Sequence, residues 1–242
     1  MFINAFLLTA CALPTFGTAF SVPLVVQRPW ESDRVADDIK VPVVLGVMSR
    51  CPDALLCESV FDQVLKKTSN KVDFSLTYIA HANSTEPNFG ITCMHGPDEC
   101  AGNIQQLCVT KYHPLQTWWE FVMCQHYQTR ENIGRPDVAL KCARAAQINW
   151  DTSGPGQCAG LDASGKADEG IQLLKESIAA TQALDISKSC TVVINGEQVC
   201  IHDGTWKKCE NGHTPRDFIR QIDEEYARLN NFSLHLEDDE SL

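Results

Sequence analysis

The stretch CPDALLC, Cys51 to Cys57, has the residue types that thiol chemistry needs, in a chain of 242 residues that holds twelve cysteines. A continuous β-branched run, VPVVLGVMS from Val41 to Ser49, leads into it and reads as a buried parallel strand. Pro52 follows Cys51 and suits the first turn of a helix. A cysteine at a helix N-terminus meets the positive end of the helix dipole and unpaired N–H groups, which stabilise a thiolate and make it a nucleophile. Arg50 adds a favourable charge beside it, and Asp53 an unfavourable one. Cys51 is the candidate attacking thiol; the blander reading makes it one half of a static disulfide.

A reductase also needs a second thiol to expel its substrate from the mixed disulfide. Cys57 stands six residues on, a rise of about 9 Å along a helix starting at Cys51 and more than the ~7 Å that a disulfide spans between Cα atoms. The pair closes only if the helix starts nearer Cys57. Cys57 also falls within the apolar stripe of Ala54, Leu56, Val60, Phe61, Val64 and Leu65, where a small buried hydrophobe is expected.

The elements around these cysteines have a recognisable order. KVDFSLTYIAHA, Lys71 to Ala82, reads as a second strand, so the chain opens β-α-β. Near its end, CTVVINGEQVCIHDGTW contains two β-runs joined at Asn195-Gly196, a strong hairpin signal, and TPRDFIRQIDEEYARLNN follows as a helix with Thr214 as cap and Pro215 in its first turn. A β-α-β half followed by β-β-α is the thioredoxin order. The expected class is therefore α/β, with a thioredoxin-like domain over residues 40–232. Helical patterns at Leu115–Tyr127, Pro136–Ala146 and Ala167–Leu184 mark a helical insertion at about 93–186 that carries six cysteines. Residues 20–39 read as an N-terminal extension and 233–242 as an acidic tail. In thioredoxin-like folds a cis-proline stands before the third strand and faces the redox cysteine. Ser189-Cys190 fills that place, which makes Cys190 the other candidate partner of Cys51, resolving or static, and removes the proline platform for a substrate strand. Cys200 and Cys209 remain as a local disulfide after the hairpin.

The insertion opens with CMHGPDECAGNIQQLC, Cys93 to Cys108. It resembles the signature of the gamma-interferon-inducible lysosomal thiol reductase family, C-Q-H-G-x-x-E-C-x-x-N-x-x-x-x-C. Cys93, His95, Gly96, Glu99, Cys100, Asn103 and Cys108 are in place, and Met94 departs. The resemblance implies a thioredoxin-like fold with a disulfide-rich insert and, in active members, reduction of protein disulfides in acidic compartments. Those members carry C-x-x-C, whose second position is Ala54 here. The family analogy favours Cys57 over Cys190 as the resolving thiol. Zinc held by Cys93, His95, Cys100 and Cys108 is the competing reading, but the C-x₂₋₄-C spacing of structural zinc is missing. A disulfide framework of Cys93, Cys100, Cys108, Cys124, Cys142, Cys158, Cys200 and Cys209 is expected instead.

Compartment decides what so many cysteines mean. MFINAFLLTACALPTFGTAF is an apolar run of signal-peptide length, and Gly17 and Ala19 suit cleavage after Ala19. Processing at 1–19 removes Cys11 and leaves an odd number of cysteines in an oxidising compartment, hence at least one unpaired thiol. Sequons at Asn83 and Asn231 agree with secretion. A net charge of −11 disfavours nucleic acid or an anionic membrane as partner, and no later run has a membrane span's length. The expected protein is a secreted or lysosomal/vacuolar thiol reductase acting on disulfide-containing proteins, with small thiols as reductant and no organic or metal cofactor. A non-catalytic secreted scaffold is the alternative, favoured by Ala54 and the absent cis-proline.

Overall fold

A computed structural model describes residues 38–239; the expected signal at 1–19 with Cys11, most of the expected N-terminal extension and the last three residues lie outside the described residues. β1 (Val41–Val47) is central, pairing in parallel with β2 (Val72–Tyr78) and antiparallel with β5 (Thr191–Ile194). β6 (Glu197–Asp203) and β7 (Thr205–Lys207) extend the sheet to the order β2-β1-β5-β6-β7. β5 and β6 turn at Asn195-Gly196, both at positive φ, as the hairpin signal requires. Val41, Val43, Leu45 and Val47 share one face of β1 and are all buried, while on the other face Gly46 is buried, Val44 half-buried and Pro42 exposed, so this central strand is covered fully on one face and partly on the other.

α1 (Pro52–Thr68) links β1 to β2. Its buried stripe of Ala54, Cys57, Phe61, Val64 and Leu65 packs where α7 (Pro215–Asp239) also lands, with the Phe61 and Phe218 rings 5.0 Å apart. α7 continues to Asp239, so most of the segment read as an acidic tail is helical. The insertion consists of α2 (Pro97–Tyr112), α3 (Leu115–Tyr127), α4 (Pro136–Ala145), α5 (Pro155–Ala159) and α6 (Asp168–Ala183), preceded by a short ribbon of β3 (His81–Ala82) and β4 (Ile91–Thr92). α2 falls on the signature itself, where small and polar residues hide a helical period. It is buried along most of its length, with Glu99, Asn103, Gln105 and Gln106 inside.

Those amides are satisfied in a chain: Tyr78 Oη donates to Gln106 Oε1 at 2.6 Å, Gln106 Nε2 to Gln125 Oε1 at 2.8 Å, and Gln125 Nε2 to Gln105 Oε1 at 3.0 Å. Gln105 Nε2 finishes on the carbonyls of Gly134 and Ala163. Burial, then the nearby Glu58 charge, pushes the Tyr78 phenol well above its ordinary value, which keeps it a hydrogen-bond donor. Three disulfides stitch this region: Cys93–Cys100, Cys108–Cys158 and Cys124–Cys142. Cys200–Cys209 closes the far side of the hairpin.

Candidate active site

The turn from β1 into α1 places Cys51 at the N-cap of α1, with φ −76° and ψ 129° and Pro52 at the first helical position. Its N–H donates to Met48 O at 2.9 Å and its carbonyl accepts from Leu55 N–H at 3.1 Å, so the helix begins at Cys51 rather than nearer Cys57. Cys51 is the free cysteine of the described residues and is buried, at 8% exposure. Its Sγ lies 3.8 Å from Ser189 O and 4.0 Å from Asp53 Oδ2.

Ser189-Cys190 comes up against this turn, joined by a cis peptide bond although neither residue is proline. Ser189 Oγ accepts from Met48 N–H at 3.0 Å, and Cys190 pairs with His202 through N–H donors in both directions, at 3.0 and 2.8 Å. Cys190 is joined to Cys57, with Cα atoms 6.2 Å apart and both residues fully buried. The sequence offers each as a partner for Cys51; in the structure they pair with one another instead and tie α1 to the head of β5. One turn and a half of helix keeps Cys57 away from Cys51, while Cys190 approaches α1 from the side and can reach it. Ala54, where a C-x-x-C would have its second cysteine, is fully buried.

The signature residues of α2 grip the same turn. Ser49 N–H donates to Asn103 Oδ1 at 3.0 Å, and Ser49 Oγ to Glu99 O at 3.3 Å. The buried Glu99 carboxylate accepts from Arg50 N–H at 3.3 Å, from His95 N–H at 3.1 Å and from His95 Nδ1 at 2.5 Å. Asn103 Nδ2 points at Cys93 Sγ, 3.8 Å away. Gly102 makes the approach possible, since a Cβ there would meet Ser49 Oγ at 2.7 Å. The spacing of Glu99 and Asn103 is thus that of a clamp on Ser49-Arg50, the two residues before Cys51, with His95 holding the Glu99 carboxylate and Cys100 bonded to Cys93. Cys93 with Cys100 and Cys108 with Cys158 are spent in disulfides, which leaves no thiolates around His95 to hold zinc.

Arg50 does not serve Cys51. Its guanidinium reaches away to Asp98 Oδ2 (3.0 Å) and to the carbonyls of Ile133 (2.7 Å) and Glu131 (2.8 Å). Asp53 turns toward β6, where Oδ1 meets His202 Nδ1 at 2.6 Å and Gly204 N–H at 2.9 Å. His202 was not picked out from the sequence. The available signal is the β6 alternation, which puts His202 on the buried face with Cys200. Of the sequons, Asn83 sits between β3 and β4, its Oδ1 accepting from Thr85 Oγ1 at 2.7 Å and its Nδ2 donating to Thr92 Oγ1 at 2.9 Å. Asn231 is exposed on α7.

The clamp and the turn it holds both fall inside one family pattern. Residues 42–146 match the gamma interferon inducible lysosomal thiol reductase (GILT) family. The matched segment runs from β1 through α4, and so takes in Cys51, Cys57 and the whole signature, while Cys158, Cys190 and His202 lie beyond it. No curated protein matches the chain. Among solved structures, oxidised BdbD from Bacillus subtilis is similar at 15% identity and a TM-score of 0.54, covering 78% of this chain and 89% of that one. MdbA, a thiol-disulfide oxidoreductase from Corynebacterium diphtheriae, is similar at 15% identity and a TM-score of 0.52, covering 78% and 86%. The fold is therefore thioredoxin-like with a disulfide-rich helical insertion. Among the described residues no helix is long and apolar enough to cross a membrane.

Proposed function

We propose that the protein is a thiol reductase of protein disulfides in a secreted or lysosomal/vacuolar setting, with Cys51 as nucleophile and Cys57–Cys190 as the couple that supplies its electrons. The observation that carries this is the convergence of three cysteines: a free Cys51 at a helix N-cap, its Sγ 3.8 Å from the carbonyl of the residue preceding Cys190, and Cys190 bonded to Cys57 of the same helix.

The cycle starts with two equivalents of a small thiol reducing Cys57–Cys190 to the dithiol and leaving as their own disulfide. The Cys51 thiolate attacks a substrate disulfide, forming a Cys51–substrate bond and releasing one substrate thiol. Cys190 then attacks Cys51 Sγ, releasing the second substrate thiol and forming Cys51–Cys190. Attack by Cys57 on Cys190 restores Cys57–Cys190 and frees Cys51. Two electrons pass from the small thiols to the substrate, and the final state is the one seen here. Cys190 takes the resolving role because the rise along α1 separates Cys57 from Cys51. The signal at 1–19 and glycans on Asn83 and Asn231 belong to the same proposal, since such a chain must enter an oxidising compartment.

The scaffold reading keeps one specific support: Cys57 and Cys190 are both fully buried, as a permanent staple would be. Reduction of a model protein disulfide by the Cys51→Ser, Cys57→Ser and Cys190→Ser variants separates the two. The reductase loses turnover in all three and accumulates a Cys51–substrate adduct in Cys190→Ser, whereas a scaffold shows no turnover even unsubstituted.

A further inference from the structure

Asp53 poses a problem for a nucleophile at Cys51, because a carboxylate 4.0 Å from Sγ opposes the thiolate by like-charge repulsion. Arg50 is no remedy, being committed to Asp98 and two carbonyls. The group that meets Asp53 is His202, 2.6 Å from Oδ1. Its side chain is 8% exposed, and its ring is set edge-on against Trp206 at 4.8 Å, with His213 stacked on that indole at 5.3 Å. His202 also holds Cys190 by two backbone hydrogen bonds, so one residue touches both the acid beside the nucleophile and the cysteine expected to resolve it.

We infer that His202 is a positioning residue which, as imidazolium, cancels the charge of Asp53 and so permits Cys51 to ionise; this rests on the reading of Cys51 as nucleophile. With the pair neutralised, the helix N-terminus acts on Sγ unopposed. With His202 neutral or absent, Asp53 faces the sulfur as a bare anion, and ionisation of the thiol is held back. The other charges near this mouth have partners of their own. Glu99 of α2 is engaged by His95 and by Arg50 N–H. Asp203 of β6 is held below its ordinary value by Lys207 and then Lys188.

The test is the rate at which iodoacetamide modifies Cys51 in the full chain between pH 4 and 8, read by peptide mass, for the unsubstituted protein, Asp53→Asn, His202→Gln and the double variant. His202→Gln should slow alkylation about tenfold near pH 5.5. Asp53→Asn should match or exceed the unsubstituted rate, and the double variant should follow Asp53→Asn, because His202 acts through Asp53. A structural role for His202 would instead slow the double variant as well, at every pH, and would overturn the inference. So would a slower Asp53→Asn, which would make the carboxylate a proton acceptor. A Cys51 that alkylates readily but is indifferent to all three substitutions overturns this inference alone. A Cys51 that never reacts in the unsubstituted protein overturns the reductase reading beneath it.

Discussion

Cys57–Cys190 and Cys108–Cys158 are both disulfides of fully buried residues, yet their surroundings differ. Cys108–Cys158 joins α2 to α5 inside the insertion, and no free thiol of the described residues stands near it. Cys57–Cys190 reaches from the first helix to the last strands, and its Cys190 end follows the residue whose carbonyl touches Cys51 Sγ. Burial alone does not separate a staple from a redox couple. What sets the two apart is the free thiol of Cys51, 3.8 Å from the carbonyl oxygen of the residue before Cys190.

Breaking each side of that comparison should give different kinds of loss. Cys51→Ser should remove reduction of a model protein disulfide altogether, to the rate of the small thiol alone, because no other described cysteine is free; melting temperature should hardly move. Cys57→Ser and Cys190→Ser should both stop turnover but trap different species on non-reducing gels, an internal Cys51–Cys190 bond in the first and a Cys51–substrate adduct in the second. Replacing Cys108 and Cys158 together by Ser should do the opposite. A loop of 50 residues implies about 4 kcal/mol of stability lost to denaturant, with turnover per folded molecule kept.

How much of this was legible in advance depends on distance in sequence. The strand before Cys51, the helix after it and the Asn195-Gly196 hairpin follow from local period and turn chemistry, and all form. The signature was legible as a spacing, since seven fixed positions stand out, but its work was not. That Asn103 takes Ser49 N–H and Glu99 takes Arg50 N–H depends on how α2 packs across 50 residues of chain. Pairing of Cys57 with Cys190 was missed for the same reason: each was weighed against Cys51, and nothing local sets two candidates against each other. His202 carries no motif at all, and only tertiary folding brings it to Asp53.

Two smaller effects sharpen the contrast between the helix that carries the nucleophile and the insert behind it. Glu58 of α1, almost wholly buried, meets the buried His126 of α3. His126→Ala leaves that carboxylate without its partner and should cost about 3 kcal/mol by denaturant melts. At the insert's outer edge His113, its ring 3.1 Å from Ser153 Oγ, is held below the ordinary histidine value by burial. The unfolded chain therefore takes up the proton first as pH falls. The contribution of His113 is intact above about pH 6.5 and drains away below it, and His113→Gln should slightly flatten the melting temperature between pH 7 and pH 5.

The central claim is that Cys57–Cys190 is a redox couple served by Cys51, and staged labelling of the native protein tests it most directly. One alkylating reagent is added before a small thiol reductant, a distinguishable one after mild reduction, and each cysteine is then located by peptide mass. The account predicts the first label on Cys51 and the second on Cys57 and Cys190, while Cys93, Cys100, Cys108, Cys124, Cys142 and Cys158 remain paired. A Cys51 that refuses the first label, with Cys57–Cys190 as resistant as Cys108–Cys158, would contradict it and leave a stapled scaffold.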